Sequence, residues 1–305
     1  MSPAAEPHRH LPGRAVLLLL FLSLLWGANM VAIKVSVQGV APAFAAALRS
    51  VVAAACVYLW MKVRGVPVFP APGLARHGVA VGVLFGLEFG CIYLGLRYTL
   101  ASRSAILLYT HPFIVALGAH LFLHGDRLHA RKATGLVLAF CGIVLLFARR
   151  WGPVSASTLP GDLLILLGAV AWGSTTLYIK RYLAGRVAPV QALFYQLFYS
   201  APVLFAWSLL TESRLLYGDL STRVVVSLAY QCVVVAFASY LAWFELVERY
   251  SVSLLAAFTF FTPVFGVLLS ALLLPGEALG PTVLASLALV CVGMVLVNRA
   301  PAPAR

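Results

Sequence analysis

The chain has 305 residues, of which 62% are hydrophobic and only 10% charged, and its mean hydropathy is +0.98. Soluble domains carry about 25% charged residues, so a water-coated globule is excluded, and apolar runs of about 20 residues read as membrane spans. The net charge of +13 is scattered through short connections, where Lys and Arg act as orientation signals; no nucleic acid partner is expected.

Breaking the apolar runs at Pro, Gly and charges predicts an all-α polytopic membrane protein. Its ten spans fall at roughly 15–34, 42–61, 78–97, 103–123, 133–149, 162–180, 190–210, 224–247, 252–274 and 280–297. Arg9 and Arg14 before the first run resemble a secretory leader. That run continues to about residue 33 and has a counterpart mid-chain, so it is kept as a span. The side of the N-terminus collects Lys62, Arg64, Arg131, Lys132, Lys180 and Arg181, about twice as many basic residues as the other side. This predicts both termini in the cytoplasm and a multi-pass protein of the inner (plasma) membrane.

Residues 25–34 read LWGANMVAIK and residues 171–180 read AWGSTTLYIK, with Trp26 and Trp172 146 positions apart. The match continues in order: Ala41-Pro42 with Ala188-Pro189, Ser102 and Pro112 with Ser253 and Pro263, and Gly125-Asp126 with Gly276-Glu277. The chain is therefore read as a tail (1–14), a first five-helix unit (15–150), a linker (151–161), a second unit (162–298) and a tail (299–305). Five is odd, so the second unit enters the bilayer from the opposite side. Inverted repeats of this kind surround a central cavity in many secondary transporters, which work by alternating access.

These doubled motifs resemble the drug/metabolite transporter superfamily and, within it, the EamA-domain exporters, most of all those of the YddG amino acid exporter type. The resemblance covers about residues 15–298. It implies ten helices in inverted repeats and export of amino acids, aromatic or hydrophobic, or of related small metabolites. Gln196 stands where Arg49 would repeat, so any role of Arg49 belongs to one unit only.

Arg49 and Glu88 are the formal charges well inside spans, where an ionisable group is costly and marks a site by default. Their depths allow an ion pair that only locks helices, or a place for substrate or a proton. Gly82, Gly86 and Gly90 form a stripe for close helix approach, and Glu88 faces away from it. His111, just before Pro112, is read either as a cavity group or as a hydrogen-bonded packing residue.

Trp26, Tyr93, Tyr109, Trp172, Tyr195, Tyr199, Tyr240, Trp243 and Phe260 lie deeper than an interface belt. With Asn29, Thr175 and Gln196 they are candidate walls of a substrate pocket, and Pro112 and Pro263 are candidate hinges. Trp60, Trp151 and Trp207 are expected in the belt, and Lys34 and Lys180 are expected to snorkel. The five cysteines are dispersed without CxxC, and no ATP-binding loop, metal motif or nucleophile motif is present. No cofactor, metal or catalytic residue is expected. The expected partners are a small solute and the lipid bilayer, with the chain acting as a monomer and proton coupling left open. Alternatives at this point are a nucleotide-sugar or phosphate-ester carrier, a multipass enzyme acting on lipid, and a passive channel.

Overall fold

The computed structural model describes residues 11–68, 73–148, 157–217, 220–273 and 281–299. These are helical almost throughout, as a chain in hydrocarbon must be if its backbone groups are to find partners within each segment. In order they are α1 (Gly13–Ser36), α2 (Pro42–Val63), α3 (Ala75–Gly95), α4 (Ala101–Leu108, then His111–Phe122) and α5 (Ala130–Phe147). The second unit holds α6 (Leu159–Leu183), α7 (Pro189–Thr211), α8 (Thr222–Arg249), α9 (Val252–Phe258, then Phe261–Leu273) and α10 (Pro281–Asn298). Among the described residues nine helices are long and apolar enough to cross a membrane, and Thr282–Asn298 is apolar but shorter. Each span lies within a few residues of its sequence-based bounds. Gly276-Glu277, Arg149, Arg150 and Trp151 lie outside the described residues, as does most of the linker.

Local chemistry sets the helix starts. Pro42 and Pro189 occupy first-turn positions, where proline loses no helical hydrogen bond. Ser221 and Ser251 cap their helices by accepting from the Val224 and Leu254 N–H groups. The fourth and ninth spans break just before Pro112 and Pro263. Proline has no N–H for the carbonyl four residues back, and its ring crowds that carbonyl. Leu108 O, freed in this way, lies 3.3 Å from His111 Nδ1. In α9 the Thr262 N–H takes up Thr259 O at 3.0 Å. α8 widens to a π-helix over Tyr230–Ser239.

The principal packing crosses between the units: α5 lies on α10, α2 on α7 and α8, α3 on α6 and α7, α4 on α6, and α1 on α8 and α9. Exchanging helix n of one unit for helix n of the other maps this set onto itself. The two units are thus inverted copies that interlock.

Close approach depends on glycine at two seams. A Cβ on Gly82 would come 2.4 Å from Tyr199 Cβ, and Gly78, Gly86 and Gly90 meet Tyr195, Val203 and Trp207 in the same way. The α3 stripe is therefore one residue longer than the sequence suggested, and it packs on α7. At the other seam a Cβ on Gly135 of α5 would come 2.6 Å from Gly293 O of α10. Trp207, expected in the interface belt, is spent on the α3 seam, whereas Trp60 is exposed beneath Arg64.

Candidate substrate site

Both faces of the bundle are latched. On the face where α1 begins and α10 ends, Lys132 Nζ pairs with Asp126 Oδ1 at 2.7 Å and also donates to Ser253 Oγ. Asp126 Oδ2 accepts the Ser253 N–H at 3.2 Å, so one carboxylate ties the α4–α5 loop to the start of α9. Burial alone would raise its pKa, but the Lys132 charge and the Ser253 and Ser251 hydroxyls outweigh that and hold it below the ordinary carboxylate range. Lys180, expected to snorkel, instead donates to the carbonyls of Val247, Glu248 and Tyr250 at 2.7, 2.9 and 3.0 Å. It serves as a C-terminal cap for α8, because these carbonyls have no helical partner.

At the opposite face Glu212 accepts the N–H groups of Ala43 and Phe44 at 2.7 and 3.0 Å, closing α7 onto the start of α2. A carboxylate at a helix N-terminus meets both free donors and the positive end of the dipole. Arg103 pairs with Asp162, which also accepts from Thr99 Oγ1 at 2.6 Å and so fastens α4 to α6.

Between the latches lie the groups the sequence singled out. Arg49 is 1% exposed and Glu88 5%. Their calculated depths agree: Arg49 is seven residues from Pro42 and Glu88 seven from Gly95, which places each about 10 Å below the same face. Asn29 is seven residues from Ser36 and shares that level. The two charges are within electrostatic reach of each other and of Tyr240, yet no ion pair joins them. Arg49 Nε and Nη2, Glu88 Oε2 and Asn29 Oδ1 are all buried without a hydrogen-bond partner. The Ser104 and Thr262 hydroxyls and the Trp207 indole N–H share that condition.

An aromatic layer lies below. The Arg49 guanidinium sits 4.4 Å over the Phe89 ring. Ring contacts then run from Phe89 to Phe85 (4.9 Å), Phe85 to Tyr240 (6.2 Å), Tyr240 to Trp26 (6.3 Å) and Trp26 to Trp243 (5.3 Å). The Trp26 indole donates to Ser239 Oγ at 2.9 Å, which fixes its ring. Tyr93 contacts Phe89 from the outer side. Phe85 and Phe89 were not singled out in the sequence, although with Tyr93 they repeat every four residues along one side of α3.

A second cluster gathers at the two helix breaks. His111, 1% exposed, stacks on Trp172 with centroids 3.6 Å apart, and its Nε2 lies 3.2 Å from Thr259 Oγ1. Tyr109 contacts both Trp172 and Phe260. Thr175 Oγ1 donates back to Ala171 O within α6. Both break points are therefore packed against α6 or against each other.

The structure does not bring Tyr195 and Tyr199 to either cluster. They cover the α3 glycine stripe, and the Tyr195 hydroxyl donates to Val68 O at 2.6 Å near the terminal face. Gln196 is buried on α7 four residues before Ser200, whose hydroxyl meets Ser50 of α2. Tyr195 and Gln196 are buried and Tyr199 partly so, and for the two tyrosines the α3 glycine seam accounts for it. A small hollow of about 10 Å³ at the terminal ends of α6 to α8 is lined by Leu183, Val187, Phe244 and Val247, well away from Arg49. The cysteines are free, and no cluster of His, Cys, Asp or Glu among the described residues could hold a metal.

Two inverted, interlocked five-helix units with unpartnered polar groups between them define a membrane carrier of the secondary-transporter type. The chain belongs to the EamA-like transporter family, whose model matches residues 13–148 and 159–299. It is a multi-pass transporter of small molecules and not an enzyme.

Among similar proteins, the uncharacterized transporter YoaV of Bacillus subtilis is 22% identical over 284 residues, which is 93% of this chain and 96% of that one. A probable amino-acid metabolite efflux pump of Escherichia coli is 28% identical over 273 residues, 86% of this chain and 88% of that one. The protein of the same description in Salmonella typhimurium is 27% identical over 291 residues, covering 92% and 93%. One crystal structure, 23% identical, superposes with a TM-score of 0.79 over 93% of this chain and 97% of its own, and speaks for the fold alone.

Proposed function

We propose that this carrier exports amino acids, aromatic or hydrophobic ones foremost, or closely related metabolites, across a bacterial-type inner membrane. The observation that carries the proposal is the shared level of Asn29, Arg49 and Glu88, with their unpartnered atoms above an aromatic layer. Polar groups in this arrangement, once opened by the alternating gates, suit a solute with polar ends and an apolar body. The description of the Escherichia coli and Salmonella typhimurium relatives as probable amino-acid metabolite efflux pumps points the same way.

The excess of Lys and Arg on the terminal face supports cytoplasmic termini. In this reading the latches at Asp126 and Lys180 form the cytoplasmic gate, those at Glu212 and Arg103 form the outer gate, and they open in turn. The breaks before Pro112 and Pro263 act as bending points, and the carrier works as a monomer. A phosphate-ester or nucleotide-sugar carrier would call for several free cations in the core. Of the buried basic groups, Arg103 and Lys132 are held by Asp162 and Asp126.

Reconstituted vesicles loaded with labelled amino acids, sugars and nucleotide sugars test the proposal, and an imposed pH gradient tests proton coupling. Amino acid efflux that weakens in His111→Ala and Glu88→Gln, with both proteins still in the membrane, is the expected result. Movement of nucleotide sugars alone would sink it.

A further inference from the structure

We infer that the site reads the two ends of its substrate separately: Arg49 receives an α-carboxylate, while Glu88 and the Asn29 carbonyl oxygen receive an α-ammonium. This deepens the amino acid reading and rests on it.

The unpartnered atoms of Arg49 are Nε and Nη2. Together they form the side-on edge of the guanidinium, a two-pronged donor with the spacing of a carboxylate's two oxygens. The unpartnered atoms at the same level on α3 and α1 are Glu88 Oε2, an acceptor in the ionised carboxylate, and Asn29 Oδ1, an acceptor only. One helix thus offers donors and two offer acceptors, at one depth. That matches a zwitterion, whose acidic and basic groups sit on adjacent carbons.

The aromatic layer fixes which way the solute points. Phe85 is ten residues from Gly95 and Trp26 ten from Ser36, so both lie about 15 Å below the face, roughly one turn deeper than the charges. Phe89, at the level of the charges, joins Arg49 to Phe85. The charged head of the substrate faces the Glu212 end of the bundle, and its side chain lies against Phe85, Tyr240 and Trp26.

Selectivity follows from what stays unpaired. A zwitterion satisfies the buried cation and the buried anion together. A bare amine leaves Arg49 without a partner and a bare acid leaves Glu88 without one. A site built to hydrogen-bond a group rejects analogues lacking it, because its own polar atoms are then stranded.

The test uses the full chain in proteoliposomes, with counterflow of L-phenylalanine, phenethylamine and 3-phenylpropionate. Wild type moves phenylalanine at least about tenfold faster than either analogue. Arg49→Gln lowers phenylalanine counterflow by about 10- to 100-fold and brings phenethylamine to a comparable rate, while Glu88→Gln does the same for phenylpropionate. Arg49→Lys keeps the charge but loses the fork, and lowers phenylalanine by about tenfold without admitting phenethylamine. Thermal unfolding of the purified variants shows that they are folded. Asn29→Leu, which is uncharged throughout, repeats the Glu88→Gln pattern more weakly if either charge variant does not fold.

Wild type that moves all three solutes alike overturns the inference, as do folded variants that lose all three together. Wild type that carries no amino acid of a broad panel but does carry another solute overturns the underlying reading instead.

Discussion

Removing the charge of Asp126 should loosen the terminal face far more than the loss of one contact suggests. In Asp126→Asn the single carboxamide oxygen can still accept the Ser253 N–H, while the amide nitrogen that replaces Oδ1 can no longer accept from Lys132 Nζ or Ser253 Oγ. Lys132 then remains buried, with side chains of the pair only 6% and 2% exposed, and keeps Ser253 Oγ as its one neutral partner. Breaking a buried ion pair from one side costs about 3–5 kcal/mol, most of it the penalty for the stranded charge. At about 2 °C per kcal/mol for a chain of this size, the unfolding midpoint in detergent falls by roughly 6–10 °C.

Lys132→Met should do similar damage. The double variant Asp126→Asn with Lys132→Met should lose clearly less than the two singles summed, since no charge is left unpaired. The pH profile gives an independent check. Because the folded pKa of Asp126 is depressed, its contribution is full above the unfolded value of about 3.9 and is lost as pH falls through the lower folded value. Asp126→Asn should therefore flatten the acid limb of the stability curve. Additive single variants with an unchanged acid limb would refute the latch.

Other expectations concern the seams and caps. Gly135→Val drives a Cβ into the Gly293 carbonyl, so its monodisperse peak on size exclusion should be lost; Gly13→Ala, with nothing within 4 Å, should elute as wild type. Lys180→Met strands three carbonyls at the end of α8 and should cost about 1.5–3 kcal/mol by thermal unfolding. Glu212→Gln keeps an acceptor for the α2 N–H groups, whereas Glu212→Ala removes it, so the alanine variant should be less stable by about 1 kcal/mol.

Much of the architecture was legible because lipid leaves few options. Apolar runs of set length become helices, and the order of Trp26, Pro112, Trp172 and Pro263 marks the duplication. Arg49 and Glu88 stood out because a charge in hydrocarbon has no neutral explanation. Their lack of a direct bond was not legible, since spacing fixes depth but not the rotation that decides whether two side chains meet. Tyr195 and Tyr199 misled for the same reason. Their depth is that of a pocket wall, but their azimuth points at the α3 glycines. Lys180 resembles a snorkelling lysine until the end of α8 is known to lie beside it. Glu212 and Asp162 sit at span ends, where a carboxylate is ordinarily solvated, so their capping and pairing became visible only in three dimensions.

The interlocking of the two units has a consequence for biogenesis. While the ribosome has delivered only the first five helices, the glycine ribbon of α3 has no α7 to lie on and α5 has no α10. The nascent half must wait in the bilayer with its small-residue grooves filled by acyl chains and Arg49 drawn toward water. Maturation is then an exchange, in which each arriving helix displaces lipid from a groove already cut to its shape.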